Sequence, residues 1–126
     1  MVPYRPVELS DGDRCYPDHM LADPSVYEEL AAFVDERDWA QFHTPENLAK
    51  SISIEAAELL EPFQWTPDAA DSDIRDELAD VLTYAYLLAA RLGTDPDTLI
   101  RTKLARTREK YPVDKSRGTS AKYDQL

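Results

Sequence analysis

The sequence predicts an all-α fold: a four-helix bundle-like domain over residues 23–112, preceded by an irregular arm (1–22) and followed by a polar tail (113–126). Three observations predict it. Apolar residues recur at spacings of three and four in four separate stretches, the period of one helix face. Those stretches are bounded by residues that start or stop helices. Glycine is scarce, three residues in 126, which argues against a turn-rich β architecture.

Each element has its own signals. The arm carries Pro3, Pro6, Gly12 and Pro17 and shows no periodicity. Ser25-x-x-Glu28 then fits a capping box. Val26, Leu30, Phe33 and Val34 form the first apolar stripe, which fades near Asp38. The aromatic link Trp39-Ala-Gln-Phe-His43 follows. Thr44 is an N-cap with Pro45 at the first helical position, so a second helix should run to about Glu61. Pro62 cannot donate a hydrogen bond and ends or kinks that helix, leaving Phe63-Gln-Trp65 beyond it. After a polar loop over 66–72, Ser72 or Asp73 should cap a third helix, which Gly93 terminates. Asp95-Pro96 opens a fourth, with Leu99, Ile100 and Leu104, ending at Tyr111-Pro112.

Two acidic pairs stand out: Glu55-x-x-Glu58 on the second helix and Glu77-x-x-Asp80 on the third. A spacing of three puts both side chains on one helix face, about one turn apart. Acids so spaced are most often a solvated face, but these lie beside the core stripes. In 48–63 the stripe is Leu48, Ile52, Ala56, Leu59 and Phe63, and Glu55 falls roughly 60° from its centre on a wheel of about 100° per residue. In 74–92 it is Ile74, Leu78, Val81, Leu82, Ala85, Leu88, Ala89 and Leu92, with Glu77 at its edge and Tyr84 on the same flank. Two packed helices would bring the pairs together. A cation would then turn repulsion into binding, and all-oxygen donors call for a hard one: Mg²⁺, Mn²⁺ or Ca²⁺ rather than Zn²⁺.

Composition narrows the classes. The chain is 43% hydrophobic and 31% charged, as expected of a soluble globular domain. No apolar run approaches membrane-spanning length, and no signal peptide is visible. The single cysteine, Cys15, cannot form an internal disulfide, so a reducing, cytoplasmic setting is expected. A net charge of −11 disfavours a nucleic acid polymer as partner. The charge is uneven: residues 55–80 hold nine acids and one base, whereas 101–126 hold eight bases and three acids. An acidic centre with a basic tail suits a metal plus a polyphosphate, or a tail that only neutralises the body.

The segments Glu-Arg-Asp-Trp39-Ala-Gln-Phe-His43-x-Pro-x-Asn47-Leu, Glu55-x-x-Glu58-Leu-x-Glu61-x-Phe-Gln-Trp65 and Asp76-Glu77-Leu-x-Asp80-Val-Leu-x-Tyr84 together resemble the MazG-like all-α nucleoside triphosphate pyrophosphohydrolases. Lys103-x₆-Lys110-Tyr111-Pro112 and the late Lys122-Tyr123 are similar to one branch, the dCTP pyrophosphatase group. The resemblance covers about 33–126. It implies a MazG-type helical fold, commonly a homodimer or homotetramer with sites near subunit contacts. It implies hydrolysis of a nucleoside triphosphate between the α and β phosphates, giving the monophosphate and pyrophosphate. Mg²⁺, with Mn²⁺ as a substitute, would be held by Glu55, Glu58, Glu77 and Asp80. Trp39, Trp65 and Tyr84 would frame the base, His43 and Asn47 would lie near base or sugar, and basic residues from Lys103 to Lys110 would meet the phosphates. A pyrimidine such as dCTP or a modified cytosine nucleotide is the expected substrate. Pro62, Thr107 and Glu109 depart from the pattern.

The chemistry points the same way. Cleaving a phosphoanhydride needs neutralised oxygens, a placed water and a stabilised leaving group. Glu58 lies farther from the apolar stripe than Glu55 and is the acid expected to orient a water as well as hold metal; Glu61 is an outer candidate. Lys103 and Lys110, seven apart, share a helix face and are the phosphate candidates. Taken alone, Trp39, Trp65 and Tyr84 are each more ordinarily core residues, and His43 a cap or core histidine. A di-iron site wants Glu-x-x-His pairs, which neither His19 nor His43 supplies, and no glycine-rich phosphate loop exists. The rival readings are a catalytically silent helical oligomer that binds nucleotide or a partner protein, and a pyrophosphohydrolase for a purine or non-nucleotide anhydride.

Overall fold

The computed structural model describes residues 25–126. The expected arm, with Cys15 and His19, lies outside the described residues. The chain divides into two compact units, one ending at Thr94 and the other spanning Asp95–Leu126. No strand occurs among the described residues, as the periodicity predicts.

Among the described residues, the first unit holds three α-helices: α1 (Val26–Asp35), α2 (Pro45–Leu60) and α3 (Asp71–Arg91). Helix α1 opens on the expected capping box. The Glu28 N–H donates to Ser25 Oγ at 3.3 Å and the Ser25 N–H to Glu28 Oε2 at 2.9 Å. Asp38, after α1, has φ of 53°, left-handed backbone that a short polar residue tolerates. Its carboxylate and carbonyl both accept from the Gln41 amide at 2.9 Å. The aromatic link then forms a 3₁₀ turn, Ala40–Phe42.

Helix α2 starts where Thr44-Pro45 said it would, with the Asn47 N–H donating to Thr44 Oγ1 at 3.1 Å. It ends at Leu60, and Pro62 sits in a 3₁₀ turn, Glu61–Phe63. Helix α3 differs at its start. It begins at Asp71, after Ala70, with no side-chain cap, instead of after Ser72 or Asp73. The Ser72 hydroxyl is turned to Asp73 Oδ1 (3.3 Å), so neither side chain covers the free N–H groups, and the first-turn acids Asp71 and Asp73 complement the helix dipole instead. At the other end Gly93 takes φ of 73°, and the Thr94 N–H reaches back to the Ala89 carbonyl at 3.0 Å.

Helices α2 and α3 pack along each other, and α1 rests on α3. The Tyr27 hydroxyl, on α1, lies 3.0 Å from the Tyr86 carbonyl and 3.2 Å from that of Thr94. Among the described residues the buried apolar ones are Val34, Leu48 and Ala89, one from each helix. Ile54, Leu78 and Leu82 remain exposed.

The second unit holds α4 (Pro96–Lys110), the short α5 (Val113–Ser116) and a 3₁₀ turn, Tyr123–Gln125. Asp95 caps α4: the Thr98 N–H donates to Oδ1 at 2.8 Å and the Thr98 hydroxyl to Oδ2 at 2.7 Å. The polar tail folds, reversing direction through α5 and the left-handed Gly118 (φ 74°).

Candidate active site

Packing α2 on α3 brings acids from both helices together. Glu55, Glu77 and Asp80 each offer a carboxylate oxygen, and the three oxygens lie within 4.8 Å of one another. Glu55 and Glu77 are half-buried and Asp80 is exposed. Glu58 stands one turn after Glu55 and is exposed, and its carboxylate acts directly on that of Glu55. Partial removal from water, then the charges of Glu58 and Asp80, hold Glu55 above the ordinary glutamate range. Glu77 is raised in the same way, by desolvation first and then by Glu58, Asp80, Glu61 and Asp76. All four predicted acids thus share one electrostatic environment, and Glu61 adds to it.

The donor set suits a hard cation. Mg²⁺ binds oxygens at about 2.1 Å and Ca²⁺ at about 2.4 Å, so opposite ligands stand about 4.2 to 4.8 Å apart. Three oxygens within 4.8 Å fit around such an ion with little movement. Among the described residues no sulfur or imidazole joins the group, which disfavours zinc.

The other predicted residues fall into several places. Tyr84 follows Asp80 by four and Glu77 by seven on α3, so it continues their face, and it is half-buried. Trp39 stands edge-on to Phe33, with ring centres 5.6 Å apart. The Arg37 guanidinium lies 3.8 Å from the Phe33 ring centre and 6.0 Å from that of Trp39. Arg37 was not singled out from the sequence, although its i, i+4 spacing from Phe33 is a readable signal. His43 is half-buried, and burial lowers its pKa, favouring the neutral ring. The Asn47 side-chain amide donates to the Phe42 carbonyl at 2.9 Å, tying the aromatic link to α2. Trp65 is 89% exposed.

Lys103 and Lys110 belong to the second unit. The Lys103 carbonyl accepts from the Thr107 hydroxyl at 3.0 Å. The Lys110 ammonium sits 4.9 Å from the centre of the Tyr123 ring.

Two surface hollows have linings that include none of these acids. One of about 310 Å³ is lined by Asp35, Asp38, Ala40, Gln41 and Arg91. Another, of about 540 Å³, lies along Glu46, Ala49, Lys50, Ser53 and Ile54. The acid group is the stronger site candidate, because it gathers carboxylates with raised pKa values in a donor geometry that suits a cation.

The fold and this group of acids define a class: all-α chains in which two packed helices offer carboxylates to a common point. The match to a known family narrows it. The model of the MazG-like family matches residues 50–126, and the chain belongs to that family. The chain is 41% identical over 106 residues to dCTP pyrophosphatase 1 of Rattus norvegicus, an alignment covering 76% of this chain and 62% of the relative. It is 38% identical over 106 residues to dCTP pyrophosphatase 1 of Homo sapiens, with the same coverage. The match therefore spans about 62% of the length of these relatives. Among solved structures, a pyrophosphatase from Archaeoglobus fulgidus superposes with a TM-score of 0.67 at 36% identity, covering 79% of this chain and 97% of that one.

Proposed function

We propose that the chain is a Mg²⁺-dependent nucleotide pyrophosphohydrolase, with Mn²⁺ as a substitute. It hydrolyses a deoxynucleoside triphosphate, dCTP or a modified pyrimidine nucleotide, to the monophosphate and pyrophosphate, a reaction of nucleotide-pool sanitation. The observation that carries this is the meeting of Glu55, Glu77 and Asp80 oxygens within 4.8 Å across two helices. Relatives named for dCTP support the choice of base.

Glu55, Glu58, Glu77 and Asp80 would hold the metal. When bound, Mg²⁺ supplies charge neutralisation at the phosphates and acidifies a coordinated water. The chain's own residues do the rest. Glu58, exposed and one turn from Glu55, orients the attacking water and accepts its proton. Trp39, Trp65 and Tyr84 offer aromatic faces to the base, with His43, neutral when half-buried, as a donor or acceptor. Asn47 acts by fixing the link that carries Trp39 and His43, since its amide is held by the Phe42 carbonyl. Lys103 and Lys110 are the cations offered to the phosphates. A cytoplasmic homodimer or homotetramer fits the exposed Trp65, Leu78 and Leu82. Among the described residues no helix is long and apolar enough to cross a membrane.

Incubating the protein with dCTP and Mg²⁺ tests the reading. dCMP and pyrophosphate are expected in equal amounts. Release of orthophosphate, or nucleotide binding in calorimetry with no turnover, would sink it.

A further inference from the structure

The folded tail carries an arrangement that the acidic site does not explain. After α5 and Gly118 the chain returns, so that Tyr123 meets the end of α4. Its ring stands edge-on to Tyr111, with centres 6.1 Å apart and planes at 79°. Two ammonium groups share that ring: Lys110 at 4.9 Å from its centre and Lys122 at 5.9 Å. Each ammonium lies within about 6 Å of the ring centre, the range in which an aromatic ring attracts a cation. The Gln125 N–H bonds to the Lys122 carbonyl at 2.8 Å, closing the turn that carries Lys122 and Tyr123. Asp124 is the one acid paired with either lysine among the described residues, at 3.4 Å from Lys122. Both partners of that pair are more than half exposed, so it is weak and readily exchanged for another anion.

We propose that Tyr123 is a positioning residue that holds Lys110 and Lys122 as a two-cation clamp for the end of a polyphosphate, with inorganic pyrophosphate the smallest ligand it takes. For its biological ligand the clamp rests on the pyrophosphohydrolase reading. An anion between the two ammonium groups relieves their repulsion and displaces Asp124. Pre-gathering the lysines lowers the entropy lost when the phosphates arrive.

Calorimetric titration of the full chain with inorganic pyrophosphate and Mg²⁺ tests this without relying on turnover. Tyr123→Leu is expected to weaken binding about two- to fivefold, the size of an exposed cation–π contact. Tyr123→Phe keeps the ring and should restore wild-type affinity. In a Lys110→Gln background, Tyr123→Leu should do much less. With dCTP as substrate, Tyr123→Leu should raise KM by the same factor and leave kcat within about twofold, whereas a general loss of structure would lower kcat. Unchanged pyrophosphate affinity in Tyr123→Leu overturns the clamp, as does an undiminished loss in the Lys110→Gln background. Should Tyr123→Leu fold poorly, Lys122→Gln leaves the ring in place and must also weaken pyrophosphate binding; wild-type affinity there overturns the clamp. Ring-dependent pyrophosphate binding without dCTP turnover would overturn the enzyme reading and uphold the clamp.

Discussion

Protons and Mg²⁺ should compete for the acids on α2 and α3, and thermal melting can read the competition. Glu55 and Glu77 are raised above the ordinary glutamate range, so the fold disfavours their charged forms. Their contribution to stability is fully present below the unfolded value and is lost as pH rises through the raised folded values. Metal-free protein should therefore gain stability from these groups as neutral solution is acidified toward the glutamate range. Mg²⁺ should reverse the slope, because its ligands must be deprotonated. With Mg²⁺ at about 100 times its dissociation constant, binding to the folded state alone contributes about 2.7 kcal/mol. For 126 residues, an unfolding entropy of roughly 2.1 cal/mol/K per residue converts that to a rise of about 10 °C in Tm. Differential scanning fluorimetry at neutral pH, in chelator and in Mg²⁺, measures it. Glu77→Gln removes one ligand and one repelling charge together. In chelator it should melt no lower than wild type, while its response to Mg²⁺ should nearly vanish. A Glu77→Gln protein that melts lower in chelator and keeps the full Mg²⁺ rise would refute the reasoning, as would a wild type indifferent to Mg²⁺.

Two further outcomes are expected. Glu55→Gln and Asp80→Asn should each abolish pyrophosphate release while the far-ultraviolet circular dichroism stays helical; retained turnover in both would remove these acids from the mechanism. Asp95→Ala should cost about 1 kcal/mol, or about 4 °C in Tm, by uncapping α4. The Thr98 backbone and hydroxyl bonds hold Asp95 below the ordinary aspartate range, so this contribution is present above the unfolded value and fades only as pH falls through the depressed folded one. Equal melting of wild type and Asp95→Ala at neutral pH would contradict the cap.

What the sequence alone determined is local. The capping box at Ser25 and Glu28, the Thr44-Pro45 and Asp95-Pro96 starts and the Gly93 stop act within about four residues, so chain order shows them. The pairing of Glu55 with Glu58, and of Glu77 with Asp80, follows from helical pitch in the same way. The start of α3 escaped because Ser72 hydrogen-bonds to a neighbouring side chain rather than capping, a choice between two local bonds of similar strength.

Only the tertiary structure decided that three of these carboxylates offer oxygens to one point, since that depends on how α2 packs along α3. It also laid Tyr123 over Lys110, thirteen residues back along the chain. Helical period fixes which face a side chain occupies. Which faces meet is set by packing between residues far apart in sequence, and no short window of residues contains that information.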